Sequence, residues 1–508
     1  MSQNFENLCD ADRNNNSSIT VVEVDKPTSF LNTQSDSKND SIIIRYNNSD
    51  TEDTNKLKNN NSKNLSIWRK RLILLIVSIA AAISPMTDAI LYPALIQICS
   101  DFQAPEIFVN ILAAVFIFFT GFGQICWAAF SETFETRRSV YLICMPLILI
   151  TCVICAITPN IWLLMVGRGI QACGTSSLVT IGSGIIADIY ELTERGSAYG
   201  NFYLMYTFAI LLGPLLGGYF TQYFGWRYVF WYLAILSGIV YIAILLFVLE
   251  TFNSNNSNES NESDVEGSQI KSSTSRKRFN PFLPFKLLRY PNITISVLYI
   301  SIVYTFVQIP LMVVPKNFPE KYGVSTSTLG LLFIPSGIGL MVGSFVGGKC
   351  NDLVIKWKKN KQNDDDLIQP EVRINCIWIS TIIVPVVYIL FGWSFESGFH
   401  ISVLLVLWSL GTFGIQIIFN TISTYLVDSN RSRSASVSAV FHCIRLFVEA
   451  SNSILEAPLE EYLGIMWMFT LFSLIIVLSN LLIIAVFFKG RSWREKMDKI
   501  IDTDWLDT

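Results

Sequence analysis

Charge is scarce in this 508-residue sequence: Asp, Glu, Lys and Arg make up 15% of it, where a soluble globular protein carries about 25%. A deficit of that size over this length points to membrane. Histidine is scarcer still, with two in all, and the formal net charge is only −3. So small a net charge predicts no nucleic-acid partner. No GxxxxGK[ST] loop occurs, which argues against an ATP-driven pump, and no HExxH or GxSxG, which argues against hydrolase chemistry. The expectation is a protein that is not an enzyme and holds no cofactor or metal. The ten cysteines lie mostly inside apolar runs, so no disulfide framework is expected. Cys152 and Cys155 make a CxxC spacing inside LILITCVICAITPN. Metal or redox use there competes with the simpler reading as filler, since a free cysteine packs as a small hydrophobe.

Apolar residues are abundant, at 51%, and aromatics make up 13%. They fall into twelve windows, each long enough to cross hydrocarbon as a helix. The windows are 72–98, 107–129, 140–157, 161–186, 198–221 and 226–249, then 293–314, 328–348, 374–395, 401–426, 435–455 and 464–488. The pattern predicts an all-α polytopic membrane protein, with 12 transmembrane helices in two pseudo-symmetric six-helix bundles. A shift of 220 residues places Gly123 on Gly343, Glu132 on Asp352 and Arg138 on Lys358, the mark of an internal duplication.

The expected division is a disordered N-terminal tail over 1–65, rich in Asn, Ser, Asp and Lys. A six-helix bundle over 66–250, a polar linker over 251–290, a second bundle over 291–488 and a short tail over 489–508 follow. No charged region followed by an apolar core opens the chain, so no cleaved leader is expected. Arg69, Lys70 and Arg71, then Arg137 and Arg138, Arg276 to Arg278, Lys356 to Lys361, and Arg431 and Arg433 all fall on one side of the membrane. The other side has only Arg227, Lys316 and Lys321. The excess of basic groups sets both termini in the cytoplasm, and the sequons at Asn47 and Asn292 should then be unglycosylated.

Polar groups at membrane depth are costly and mark function. Asp88 lies 16 residues into its outward-running window, or roughly 24 Å from the inner end, and Arg168 lies roughly 10 Å below the outer surface on an inward-running one. Similar depth suggests that the two face one cavity and pair, either as a proton-handling carboxylate with its counter-ion or as a fixed structural ion pair. The eleventh window, ASVSAVFHCIRLFVEASNSILEAP, carries Ser438, His442, Arg445, Glu449, Asn452 and Glu456 within an arc of about 80°. Such a stripe must face water or protein. Glu449 and His442 are candidate proton carriers, and an Arg445–Glu449 pair one turn apart is the plainer alternative. Gly213, Pro214, Gly217 and Gly218 in AILLGPLLGGYF, with the glycines of GLLFIPSGIGLMVGSFVGG, suit either two bundles that rock or ordinary tight packing.

These residues resemble the fungal major facilitator superfamily. Within it they are most similar to the twelve-span drug:proton antiporters, in the subgroup of quinidine-resistance and dityrosine exporters. GPLLGG (213–218) resembles that family's fifth-span antiporter motif, and GWRYVFWYLAI (225–235) its continuation. RGIQACG (168–174) resembles the fourth-span Arg-x-x-Gln-Gly motif, with Ala172 in place of Gly. NPFLPFKLLRYPNI, LGLLFIPSGIGLMVGSFVGGKCND and NTISTYLVDSNRSRSASVSAVFHCIRLF also resemble family segments. The likeness covers residues 65–490. It implies proton-coupled export of a drug or other small organic solute by a monomer in the plasma membrane, with Arg168 in proton relay. Tyr92 and Gln171 are expected to line the solute cavity. Glu132, Arg137, Arg138 and Asp352 are expected to belong to the gating loops. The loop after the second span departs from the family pattern: AAFSETFETRR has Ala128 and Glu135 where glycines are usual and Glu132 for the usual Asp. A narrow-specificity exporter of a polyamine or a wall precursor is the runner-up, and a transporter-like membrane sensor the alternative from another class.

Overall fold

The computed structural model describes residues 66–504 apart from 106, 135, 191, 249, 251–281, 362–368 and 431–433. The tail expected over 1–65 and most of the linker therefore lie outside the described residues. No strand occurs among those described. The helices are α1 (Ile67–Ala89), α2 (Leu95–Phe102), α3 (Ile107–Thr133), α4 (Arg138–Ile157), α5 (Ile161–Ile189), α6 (Leu192–Tyr223) and α7 (Arg227–Phe247). After the linker come α8 (Pro291–Tyr322), α9 (Thr326–Leu332), α10 (Ile334–Lys361), α11 (Trp378–Glu396), α12 (Ile401–Ser429) and α13 (Ser434–Asp504). Helix is the only open-chain conformation that satisfies every backbone group within its own segment, so apolar runs of this length take it. Large apolar side chains such as Ile235, Ile239, Ile242 and Leu246 on α7 point outward, where hydrocarbon would cover them.

Four windows differ from expectation. The first is two helices, α1 and α2, joined by a short 3-10 turn over Tyr92–Ala94. Pro93 has no N–H to continue the ladder and its ring crowds the preceding turn. The eighth is α9 and α10, with Phe333 between them. The last two merge into α13, whose apolar stretch Val437–Arg494 is 58 residues long. That is about 87 Å of helix, enough to cross twice. Gly464, at φ 72°, breaks it between crossings; a left-handed residue there suits glycine. Eleven apolar helical stretches therefore give twelve crossings. The C-terminal tail expected over 489–508 continues α13 as helix to Asp504. The end of the linker is also ordered: Leu283–Arg289 is a 3-10 helix with Leu287 buried.

The same pairings recur in both halves. α3 packs on α5 as α10 packs on α12, and α4 on α7 as α11 on the last part of α13. An ion pair repeats as well. Arg137, at the start of α4, reaches Asp188, the penultimate residue of α5, with Nε 3.3 Å from Oδ2. Arg373, just before α11, reaches Asp428, the penultimate residue of α12, at 2.7 Å. The halves meet through α3 against α13 and through α6 against α9 and α10. An even number of crossings puts the ends of the described chain on one face, called the near face below.

Within the second half, Gly339, Gly343 and Gly347 lie along the α12 backbone; a Cβ at Gly343 would stand 2.6 Å from the Phe413 carbonyl oxygen. This face is a fixed seam inside one bundle. Gly343→Leu is expected to cost about 1–3 kcal/mol of stability, read as a lower melting temperature in detergent with α6–α9 contacts intact.

Candidate functional site

The site begins with the break in α1. Near it the helix tightens, and Leu91 N bonds to the Asp88 carbonyl at 3.4 Å instead of to Thr87. The Thr87 carbonyl is thereby left without its helical donor. Arg168, on α5 and 1% exposed, supplies one: its Nη1 donates to Thr87 O at 3.0 Å and to Gln171 Oε1 at 3.0 Å. Its guanidinium also lies 4.0 Å from the centroid of the Phe116 ring on α3. Gln171 in turn donates to Cys152 Sγ at 2.9 Å. Cys152 and Cys155 are fully buried packing groups, and no cluster of metal ligands occurs among the described residues.

The direct Asp88–Arg168 contact expected from depth is replaced by a through-space relation. The guanidinium takes the backbone next to Asp88, and the carboxylate turns along its own helix. Asp88 Oδ2 accepts from Tyr92 Oη at 3.1 Å, and Tyr92 Oη accepts from Gln308 Nε2 at 2.6 Å. Gln308 is on α8, so this buried chain joins the two bundles. A second cross-bundle bond runs from Ser327 N to Gln222 Oε1, 2.7 Å, at the far face.

The polar edge of α13 is buried against protein: Arg445 is 8% exposed, Glu449 7% and Glu456 1%. Arg445 Nη1 meets Glu449 Oε2 at 2.6 Å, and the guanidinium stands 4.4 Å from the Tyr304 ring centroid. This is the intrahelical pair. It also belongs to the constellation around Asp88, because Asp88 lies in the field of both Arg168 and Arg445, and Glu449 in that of Asp88. Tyr206 on α6 lies in the field of Tyr304, Arg445, Glu449 and Asp88. Asp88, beside the break in α1, and Tyr206 and Tyr304, in the middle of α6 and α8, are half-buried. His442, one turn before Arg445 and in its field, stands between the rings of Phe441 (4.7 Å) and Phe419 (6.2 Å), with no side-chain hydrogen bond among the described residues.

The glycines of α6 divide between two partners. A Cβ on Gly213 would lie 2.9 Å from the Ala89 side chain, and one on Gly217 would run into the Ile90 carbonyl, both at the α1 break. Gly218 faces Thr326 and Gly330 of α9 in the other bundle, and a Cβ on Gly330 would lie 2.5 Å from the Pro214 carbonyl oxygen. The near-face loop closes without its family glycines. Ser131 Oγ donates to Thr136 O at 2.5 Å and accepts from Arg137 Nη1 at 2.9 Å. Glu250, after α7, accepts from Arg137 N (2.8 Å) and Arg138 N (3.1 Å) and so caps the start of α4. Arg138 Nη2 donates to Leu245 O at 3.0 Å. Glu132 is helical on α3, with its side chain outside those described, and Asp352 is exposed at the near end of α10.

Sequence reading missed Gln308, Tyr206, Tyr304, Asp188 and Glu250. Gln308 had a signal, as a lone amide in an apolar window. Tyr206 and Tyr304 had none, being two of 19 tyrosines.

Comparison with known proteins agrees with this architecture. The sequence is 26% identical to "Citrate exporter 1" of Aspergillus niger over 464 residues, covering 85% of this chain and 88% of that protein. It is 23% identical to "MFS antiporter QDR3" of Candida albicans over 554 residues, covering 84% and 79%. A bacterial homologue of the human lysosomal transporter Spinster, solved inward-facing and unoccupied, superposes with a TM-score of 0.58 at 14% identity, over 85% of this chain and 99% of that one. The pattern of the Major Facilitator Superfamily matches residues 77–447, and the chain is therefore a member of that superfamily, a membrane transporter of small solutes.

Proposed function

We propose that this protein is a proton-coupled antiporter that exports small organic solutes, in the drug:proton antiporter branch with quinidine-resistance and dityrosine exporters. The observation that carries it is the buried chain Asp88–Tyr92–Gln308, which ties a carboxylate to both bundles. A proton on Asp88 changes what Tyr92 can donate to, and so weakens a bond across the bundle interface. Proton loading and bundle separation are then one event. The Arg445–Glu449 pair, in the field of Asp88, is the second exchangeable acid. The excess of basic groups on the near face supports cytoplasmic termini in a plasma-membrane protein. With that orientation, the α6–α9 contacts close the outer side. The name of the relative "MFS antiporter QDR3" agrees with the reading. A narrow-specificity metabolite exporter is the second reading, favoured by the two buried guanidiniums and by the relative named a citrate exporter.

Sealed inside-out vesicles test this. An acid lumen should drive uptake of labelled organic cations or organic acids, a protonophore should stop it, and ATP should not matter. Asp88→Asn should abolish gradient-driven uptake, by about a hundredfold, while leaving exchange of solute between equal pH compartments. Uptake by Asp88→Asn that keeps its full pH dependence would defeat the assignment.

A further inference from the structure

Beyond Glu449, the polar edge of α13 continues toward the far face. Asn452 and Ser453 lie one turn on, Glu456 two turns and Glu460 three. Over these residues the helix rises about 16 Å. Three side-chain atoms on this edge have no hydrogen-bond partner among the described residues: Asn452 Nδ2, Ser453 Oγ and Glu456 Oε2. Their residues are 6%, 0% and 1% exposed. Buried polar atoms without protein partners, in a row, are groups that ordered water satisfies. The charged groups acting on Glu456 are Glu460, on its own helix, and Lys316, on α8. Glu460 is half-buried at the outer end; its Oε1 accepts from Asn317 Nδ2 at 2.9 Å and stands 3.4 Å from Lys316 Nζ. At the inner end the stripe meets the Arg445–Glu449 pair, and Glu449 lies in the field of Asp88.

We propose that this edge of α13 is a water-lined proton route, and that Glu456 is the outer carrier from which a proton reaches Glu449. The inference rests on the proton-coupled reading above and adds to it the side, the path and a further proton-carrying residue. A proton from outer water passes by Glu460 to the Glu456 carboxylate. Glu456 gives it up to water held by Ser453 and Asn452, and it ends on Glu449 Oε2. There it breaks the hydrogen bond from Arg445 Nη1, and Glu456 is reloaded from outside. Arg445, so released, is free to turn to Asp88 or to a solute. The plain alternative, a structural carboxylate, requires donors that Glu456 Oε2 lacks. Exposure to lipid is excluded because the residue is buried.

Infrared difference spectroscopy on right-side-out proteoliposomes of the full chain decides the matter without a solute. An acid step outside should raise carboxylic acid bands, assigned to Glu449 and Glu456 by loss in Glu449→Gln and Glu456→Gln. In Glu456→Gln the Glu449 band should rise about a hundredfold more slowly; Glu456→Asp should recover much of the rate, which a merely structural role would not require. If Glu449 loads at the normal rate in folded Glu456→Gln protein, the route is wrong and the proton-coupled reading stands. If Asp88 alone changes protonation in the natural protein, the route is wrong and the proton-coupled reading stands; if no carboxylic acid band rises at all, Asp88 included, the proton-coupled reading fails and takes the route with it.

Discussion

Arg168→Lys is expected to lower gradient-driven transport nearly as far as Arg168→Ala, by about a hundredfold. Charge alone does not account for what Arg168 does. One nitrogen serves the Thr87 carbonyl and Gln171 together while the flat guanidinium lies on Phe116. An ammonium cannot keep both bonds and the stacking contact at once. Alanine strands the buried Thr87 carbonyl and the Gln171 amide oxygen, and lysine, shorter and without the flat face, loses the Phe116 contact and at least one of the two bonds. Each stranded group costs about 1–3 kcal/mol, and the break in α1 loses the contact that fixes it. Asp88 and Tyr92 stand on either side of that break, so the cross-bundle chain should slacken as well. The measurement is the initial rate of uptake in vesicles with an acid lumen, normalised to monodisperse protein. A lysine variant that runs at the normal rate would show that only the charge matters at this position.

Residue spacing brings Asp88 and Arg168 to one place but does not give their contact: Arg168 bonds the Thr87 carbonyl, and Asp88 bonds Tyr92. Residue counts along a span give depth, and both groups do lie close in depth. They give no bearing around the helix axis once the helix is interrupted. Pro93 was visible in the sequence, but its effect on Leu91 and Thr87 depends on how the chain tightens before the proline. The polar stripe of α13 was legible because its six residues share one periodicity and one helix. The Arg445–Glu449 pair follows from i,i+4 spacing alone. The closure of the loop after α3 was illegible, since the capping carboxylate, Glu250, is 113 residues from Arg137. The glycines of the eighth window were legible as small-residue faces but not as to partner. Gly339, Gly343 and Gly347 face their own bundle, while Gly330 and Gly337 face α6 of the other.

That division leads to the second large effect, at Gly330. Here α9 lies against α6 so closely that a Cβ would stand 2.5 Å from the Pro214 carbonyl oxygen and 3.1 Å from Leu215 Cα. Both are backbone atoms, and neither can swing aside as a side chain does. Gly330→Leu must therefore part the two helices at the far face and break the Ser327–Gln222 hydrogen bond. Each bundle keeps its own interior, because the glycine seam between α10 and α12 is elsewhere. The expected result is a folded protein that cannot close its far side, with transport reduced by about a hundredfold or more and the melting temperature little changed. Spin labels at Tyr223 and Thr326, near the ends of α6 and α9, should show the distance between them lengthen and its distribution lose the short population. Gly343→Leu gives the opposite pattern: lower stability with the short distance retained. Should Gly330→Leu transport normally with the short distance kept, the α6–α9 contact is not what closes the far face, and the gate has to be sought where α3 meets α13.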